Sequence, residues 1–137
     1  MIADSKPKKE ASNSHRISKC DHLLYECLLL RDKECQMCGK TTTLVPSHCY
    51  GKKTYPALRH ELLNLVLLCD DCHKWWHSNP IEAWEWFEEK YPDRFEHLQW
   101  AKNMFTKLNK LHYQERSLVL KEELNRLTTK TKEERNG

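Results

Sequence analysis

Apolar residues recur at steps of three and four through Ile17, Cys20, Leu24, Cys27 and Leu28, a spacing that predicts an amphipathic helix with Ser14 available as its cap. Ahead of it, residues 1–14 mix small, polar and basic types without periodicity, which predicts a disordered arm. The run Thr41 to Tyr50 is rich in β-branched residues and carries Pro46, as expected of a short hairpin strand ending near His48. Gly51 to His60 reads as a basic loop. From Glu61 to Leu68 the chain is almost wholly apolar, with Asn64 its only amide, and periodicity alone leaves helix and strand open.

Beyond residue 69 the pattern is helical. Asp70 to His77 is predicted as a short helix with His73 and His77 on one face. Asn79-Pro80 is expected to stop it and start another, with Asn79 as cap and Pro80 in a first turn that needs no amide hydrogen. Ile81, Trp84, Phe87 and Tyr91 stripe that helix, and Pro92-Asp93 breaks it. Phe95, Leu98, Ala101, Met104 and Leu108 continue the pattern, and a last helix carries Tyr113, Leu120, Leu124 and Leu127. This division predicts a basic arm (1–14), a helix plus metal-bearing module (15–79), a helical extension packed on it (80–127) and a flexible tail (128–137). Its fold class is a small α+β domain stabilised by zinc.

Cysteine spacing brings in the chemistry. Cys35-x-x-Cys38 and Cys69-x-x-Cys72 stand thirty residues apart, so each forms a tight turn and four thiolates can surround one tetrahedral Zn²⁺. Sulfur would close that structural site and leave His48, His73 and His77 for other work. Cys20 and Cys27 belong to no close pair and read as buried thiols. Seven cysteines is an odd count, no export signal precedes them, and no apolar run nears the roughly 20 residues of a membrane span, so the expected location is a reducing cytoplasm.

The net charge of +3 is unevenly spread. Cys35 to His60 holds four cations (Lys40, Lys52, Lys53, Arg59) and no carboxylate, whereas Ile81 to His97 sets six acids against Lys90 and Arg94. A polyanion would be drawn to the first segment. In that segment Lys52, Lys53 and Arg59 are candidate phosphate contacts, Arg59 having the forked guanidinium that matches phosphate geometry. His48 is the candidate general base, because imidazole titrates near neutral pH. His73 and His77 could grip one divalent ion from one side, and Asn64 could fix the backbone or orient His48.

The order Cys-x-x-Cys, Ser47-His48, Asn64, Cys-x-x-Cys-His73 resembles the zinc-bound branch of the HNH (ββα-metal) nucleases. With Gly51-Lys52-Lys53, Arg59, Asn79-Pro80 and Tyr91 added, residues 17–127 resemble the NinG (Rap) recombination proteins of lambdoid phages. The resemblance implies a ββα-metal module with one N-terminal helix and two to three C-terminal helices, and a strand for Glu61 to Leu68. It implies metal-dependent cleavage of branched DNA such as Holliday junctions by His48, Asn64 and His73, in host cytoplasm if phage-encoded. Mg²⁺ or Mn²⁺ is the expected catalytic ion, with Zn²⁺ or Ni²⁺ also suited to imidazole ligands. A homodimer is expected because junction cleavage usually needs symmetry. Ser47 departs from the acid that many HNH enzymes place before the base histidine. Either the ion rests on His73 and His77, or His48 is itself a ligand and the base lies elsewhere. The rival class is a non-catalytic, zinc-stabilised nucleic-acid-binding module, which the basic charge and the knuckles fit equally well.

Overall fold

A computed structural model of the chain describes residues 13–136, so most of the expected basic arm, residues 1–12, lies outside the described residues. The described chain is α+β: five α-helices and one two-stranded antiparallel sheet. Its elements are α1 (Asn13–Asp32), β1 (Leu44–His48), β2 (Leu65–Cys69), α2 (Asp70–Ser78), α3 (Pro80–Lys90), α4 (Pro92–Ala101) and α5 (Lys110–Asn136). Among the described residues no helix is long and apolar enough to cross a membrane.

The described residues form two compact units, one gathering residues 13–27 with 107–136 and the other residues 28–106. In the first, α1 and α5 run parallel with a constant offset. The Cys20 thiol donates to the Tyr113 carbonyl at 3.6 Å, and seven residues on the Cys27 thiol donates to the Leu120 carbonyl at 3.4 Å. The matched step of seven is the repeat of paired helices, and small buried residues (Cys20, Cys27, Ser117) let the backbones approach. Helix α5 continues to Asn136, where the sequence predicts fraying from Thr128. Leu127 is buried, and beyond it Thr131 donates its hydroxyl back to the Leu127 carbonyl at 2.9 Å. The lysines and glutamates that follow are good helix formers, and their polarity misleads a pattern reading. Ser14, expected as a cap, falls inside α1.

In the second unit the sheet is the platform. Leu44 pairs with Cys69 and His48 with Leu65, so the turn into the second cysteine pair meets the start of β1. Pro46 faces Leu67 at no cost to the ladder. Leu67 turns its own polar groups to the opposite edge, its amide donating to Asp32 Oδ2 at 3.0 Å and its carbonyl accepting the Gln36 amide at 2.9 Å. Arg31, paired to Asp32 at 2.8 Å, donates to the Leu62 and Leu65 carbonyls at 2.8 and 2.7 Å. The end of α1 thus binds the entry of β2 through hydrogen bonds. Val66, Leu68, Trp76, Phe87 and Leu98 form the core, bringing together β2, α2, α3 and α4.

Three local expectations need correction. Glu61 to Leu68 is a strand only from Leu65, because Leu62–Asn64 forms a 3₁₀ turn with the Glu61 carboxylate accepting from the Leu63 amide. Asn79 occupies the boundary between α2 and α3, but its side-chain amide donates to the Trp75 carbonyl at 3.1 Å, finishing α2 and leaving the start of α3 to Pro80. Helix α4 stops at Ala101, short of Met104, since the Asn103 side chain donates to the Gln99 carbonyl at 3.2 Å and offers the backbone an alternative to the helix.

Candidate functional site

The four cysteines of the two pairs converge, their sulfurs all lying within 4.8 Å of one another. Each turn is built locally. In the first, the Cys38 amide donates to Cys35 Sγ at 3.4 Å and the Gly39 amide to the Cys35 carbonyl at 2.8 Å. Gly39 holds φ +82°, a conformation that side-chain-bearing residues rarely adopt. In the second, Cys69 ends β2 and Cys72 lies in the first turn of α2. The sheet register does the rest, since the strand that carries Cys69 is also bonded through Leu67 to Gln36 inside the first turn.

This cluster could hold a zinc ion structurally. Four sulfurs bound at about 2.3 Å to one tetrahedral ion sit about 3.8 Å apart, and Cys38 Sγ lies 3.6 Å from Cys69 Sγ. Electrostatics points the same way. Burial raises the Cys35 thiol, but bonds from the backbone of Cys38, Cys69 and Met37 and from the Cys38 thiol outweigh it and bring its pKa down to about 6. The Cys72 thiol is pushed far up by burial and by sharing its hydrogen bonds with the other three sulfurs. Four adjacent thiolates repel one another, and a cation among them removes the repulsion. All seven cysteines are free thiols, and Cys20, Cys27 and Cys49 stand outside the cluster.

The histidines stand outside the four-sulfur cluster. His48 ends β1, and its Nε2 lies 3.0 Å from the Arg59 carbonyl. A carbonyl only accepts, so Nε2 carries the proton and the basic lone pair falls on Nδ1. His73 Nδ1 lies 2.8 Å from Ser47 Oγ, and the Ser47 hydroxyl donates to the Val45 carbonyl at 3.2 Å. His73 therefore meets Ser47 through Nδ1, and Nε2 is its other ring nitrogen. Burial, and after it the neighbouring His77, hold the His73 pKa below the usual imidazole range. The His73 and His77 rings pack edge to face, 4.5 Å between centroids, one turn apart on α2. His48 and His77 both line a cleft of about 180 Å³ walled by Trp76, Trp84, Pro80 and Cys49.

Asn64, grouped with the catalytic residues in the sequence reading, is fully buried and spends its amide on the backbone. Its oxygen accepts the Tyr50 amide at 2.8 Å, and its nitrogen donates to the Tyr50 and Leu58 carbonyls, both at 3.0 Å. It is therefore a positioning residue that clamps both ends of the basic loop, whose Arg59 carbonyl in turn holds His48. Lys52 and Lys53 are exposed on that loop, while Arg59 is half-buried. Pattern reading misses Trp76, whose indole donates to the His48 carbonyl at 3.0 Å, and the bond from Ser47 to His73. The available signal for Trp76 is its place three residues after His73, on the same helical face. No protein-family model matches the chain, and comparisons with curated proteins and with solved structures give no match.

Proposed function

We propose that this protein is a metal-dependent DNA endonuclease in which β1, β2 and α2 form a ββα-metal module of the HNH type, as the resemblance to the NinG proteins implies. The observation that supports it most is the meeting of His48, from the strand end, with His77, from the helix, in one cleft, with His73 packed against His77. His73 and His77 would hold a divalent cation, Mg²⁺ or Mn²⁺ with Zn²⁺ or Ni²⁺ as alternatives, and with its Nδ1 bonded to Ser47 the His73 ring would offer Nε2 for that purpose. When bound, such a cation offsets negative charge on the phosphoryl and leaving oxygens. His48 takes the proton of the attacking water on Nδ1 while the Arg59 carbonyl holds Nε2–H. The water oxygen bonds to phosphorus, the bond to the 3′-oxygen breaks, and that oxygen gains a proton from solvent, leaving 5′-phosphate and 3′-hydroxyl ends. Lys52 and Lys53 meet flanking phosphates on the exposed loop. The substrate this reading favours is branched DNA, cut by a pair of chains.

The test is His48→Ala, assayed on four-way-junction and linear DNA with added Mg²⁺ or Mn²⁺. Cleavage should fall by about 10²- to 10⁴-fold with the tryptophan circular dichroism retained. Undiminished cutting by the folded variant would remove His48 from the chemistry. Binding without any cutting by the unsubstituted protein would leave a zinc-stabilised nucleic-acid-binding module.

A further inference from the structure

Within residues 28–106, four large hydrophobic side chains are more than half exposed: Ile81 at 71%, Trp100 at 61%, Met104 at 51% and Phe105 at 90%. The last three lie at and just beyond the end of α4, where the Met104 amide turns back onto the Ala101 carbonyl at 3.1 Å. Scattered exposed apolar residues need no explanation, but such a cluster marks a surface with a partner. Beside it is a groove of about 350 Å³ lined by Ile81, Trp84, Glu85, Glu88 and Phe95, with Tyr50 and Gln99. The two adjoin through Tyr50, whose hydroxyl accepts from the Gln99 amide at 3.1 Å and whose ring centroid lies 5.5 Å from the Lys102 ammonium. Phe105 follows Lys102 by three residues, about 11 Å of chain at most, so its backbone stays within reach of the groove's rim.

Groove and projection are opposites. The groove is apolar and acidic, whereas the stretch from His97 to Thr106 carries no carboxylate and has Lys102 in its middle. Among the described residues neither Glu85 nor Glu88 belongs to an ion pair, and Lys102 meets the Tyr50 ring rather than a carboxylate. A polyanion does not suit this surface. The groove repels it on one flank of α4, and on the other Trp100 packs on His97, 5.8 Å between centroids, with the Glu61 carboxylate 3.8 Å from that imidazole. What suits it is a partner that offers an apolar, cationic projection to the groove and an apolar, acidic groove to the projection. A second copy of this chain offers both, and a two-fold axis satisfies each contact twice. The area is sufficient. With roughly 150–250 Å² for each buried aromatic, Trp100 and Phe105 together with Met104 and Ile81 give each copy about 500 Å² of apolar centre, out of the roughly 800 Å² per partner of a standard interface.

We propose that the chain pairs with a second copy of itself through this surface, Met104 and Phe105 of each entering the groove of the other and Lys102 meeting Glu85 and Glu88 across the axis. Trp84 lines both this groove and the histidine cleft, so the pairing surface borders the candidate chemistry. The proposal gives the two-chain cleavage described above its surface and rests on that reading for its purpose, but its test needs no DNA. Sedimentation of the full chain over a range of concentrations should show an equilibrium of monomer and dimer. Met104→Ala with Phe105→Ala should raise the dimer dissociation constant about tenfold or more, as should Glu85→Lys with Glu88→Lys. Adding Lys102→Glu to the lysine pair should restore pairing, and thermal melting confirms that each variant is folded. An unsubstituted chain that is monomeric at every concentration overturns the surface, as does a dimer indifferent to the alanine pair or a charge reversal that brings no recovery. A monomer whose alanine pair instead loses binding to oligothymidine or to phosphatidylserine vesicles overturns it in favour of that occupant. A dimer dispersed by the alanine pair in a protein that cuts no DNA upholds the surface and removes the endonuclease, whereas a monomer that cuts four-way junctions does the reverse.

Discussion

The two units solve the problem of a small core in opposite ways. In residues 13–27 with 107–136, two parallel helices meet through a repeating stripe, and two thiols at the seam donate to carbonyls. In residues 28–106, a sheet of two five-residue strands is held by side chains that bond to backbone: Arg31 to Leu62 and Leu65, Asp32 to Leu67, Asn64 to Tyr50 and Leu58. A two-stranded sheet is marginal by itself, and here four sulfurs and several buried polar bonds support it. A seam built from a repeat tolerates exchange of its members, whereas a network of single bonds does not. The candidate chemistry lies in the unit whose geometry is specified bond by bond.

The contrast is sharpest for the cysteines. All five tryptophans lie in residues 28–106, so indole signals report that unit alone. Cys69→Ser, or chelation of the metal, should abolish the near-ultraviolet tryptophan signal, because a structural zinc contributes on the order of 10–16 kcal/mol to folding in small zinc domains. A tryptophan signal that survives chelation would show that the sulfurs are dispensable to the unit. Next in size is Asn64→Ala, which strands the Tyr50 amide and the Tyr50 and Leu58 carbonyls in a buried place. Roughly 2–5 kcal/mol of stability should be lost, read by urea denaturation of the tryptophan signal, and cleavage should fall even in the fraction that remains folded.

The smallest effect is expected from Cys20→Ala with Cys27→Ala. Each removes a weak thiol bond and little volume, so about 1–2 kcal/mol should be lost, and the metal content per chain should stay unchanged by elemental analysis. A drop in bound metal would mean that the helical seam and the sulfur cluster are not separate uses of cysteine.

Much of this molecule is legible in its sequence. Pro80 and Pro92 mark two helix starts because a first turn needs no amide hydrogen from them and a helix interior would, and the paired Cys-x-x-Cys turns announce their own convergence. The strand at Leu65 is less plain, since a buried run of leucine and valine satisfies helix and strand alike. What the pattern withholds depends on partners distant in the chain. Nothing near Ser47 says that it will meet His73 from the facing helix, and nothing near Cys20 points to Tyr113. Helix α5 outlasts its apolar stripe, which hydropathy reads as an end and intrinsic helix preference does not.

Because Asn64 grips Tyr50 on one side and Leu58 on the other, the residues between them are a cassette with fixed terminals. Tyr55 inside that stretch packs on the Tyr50 ring, 4.8 Å between centroids, whereas Lys52 and Lys53 are exposed. An engineer wishing to change the charge of this loop would exchange Lys52 and Lys53, which leaves both terminals in place.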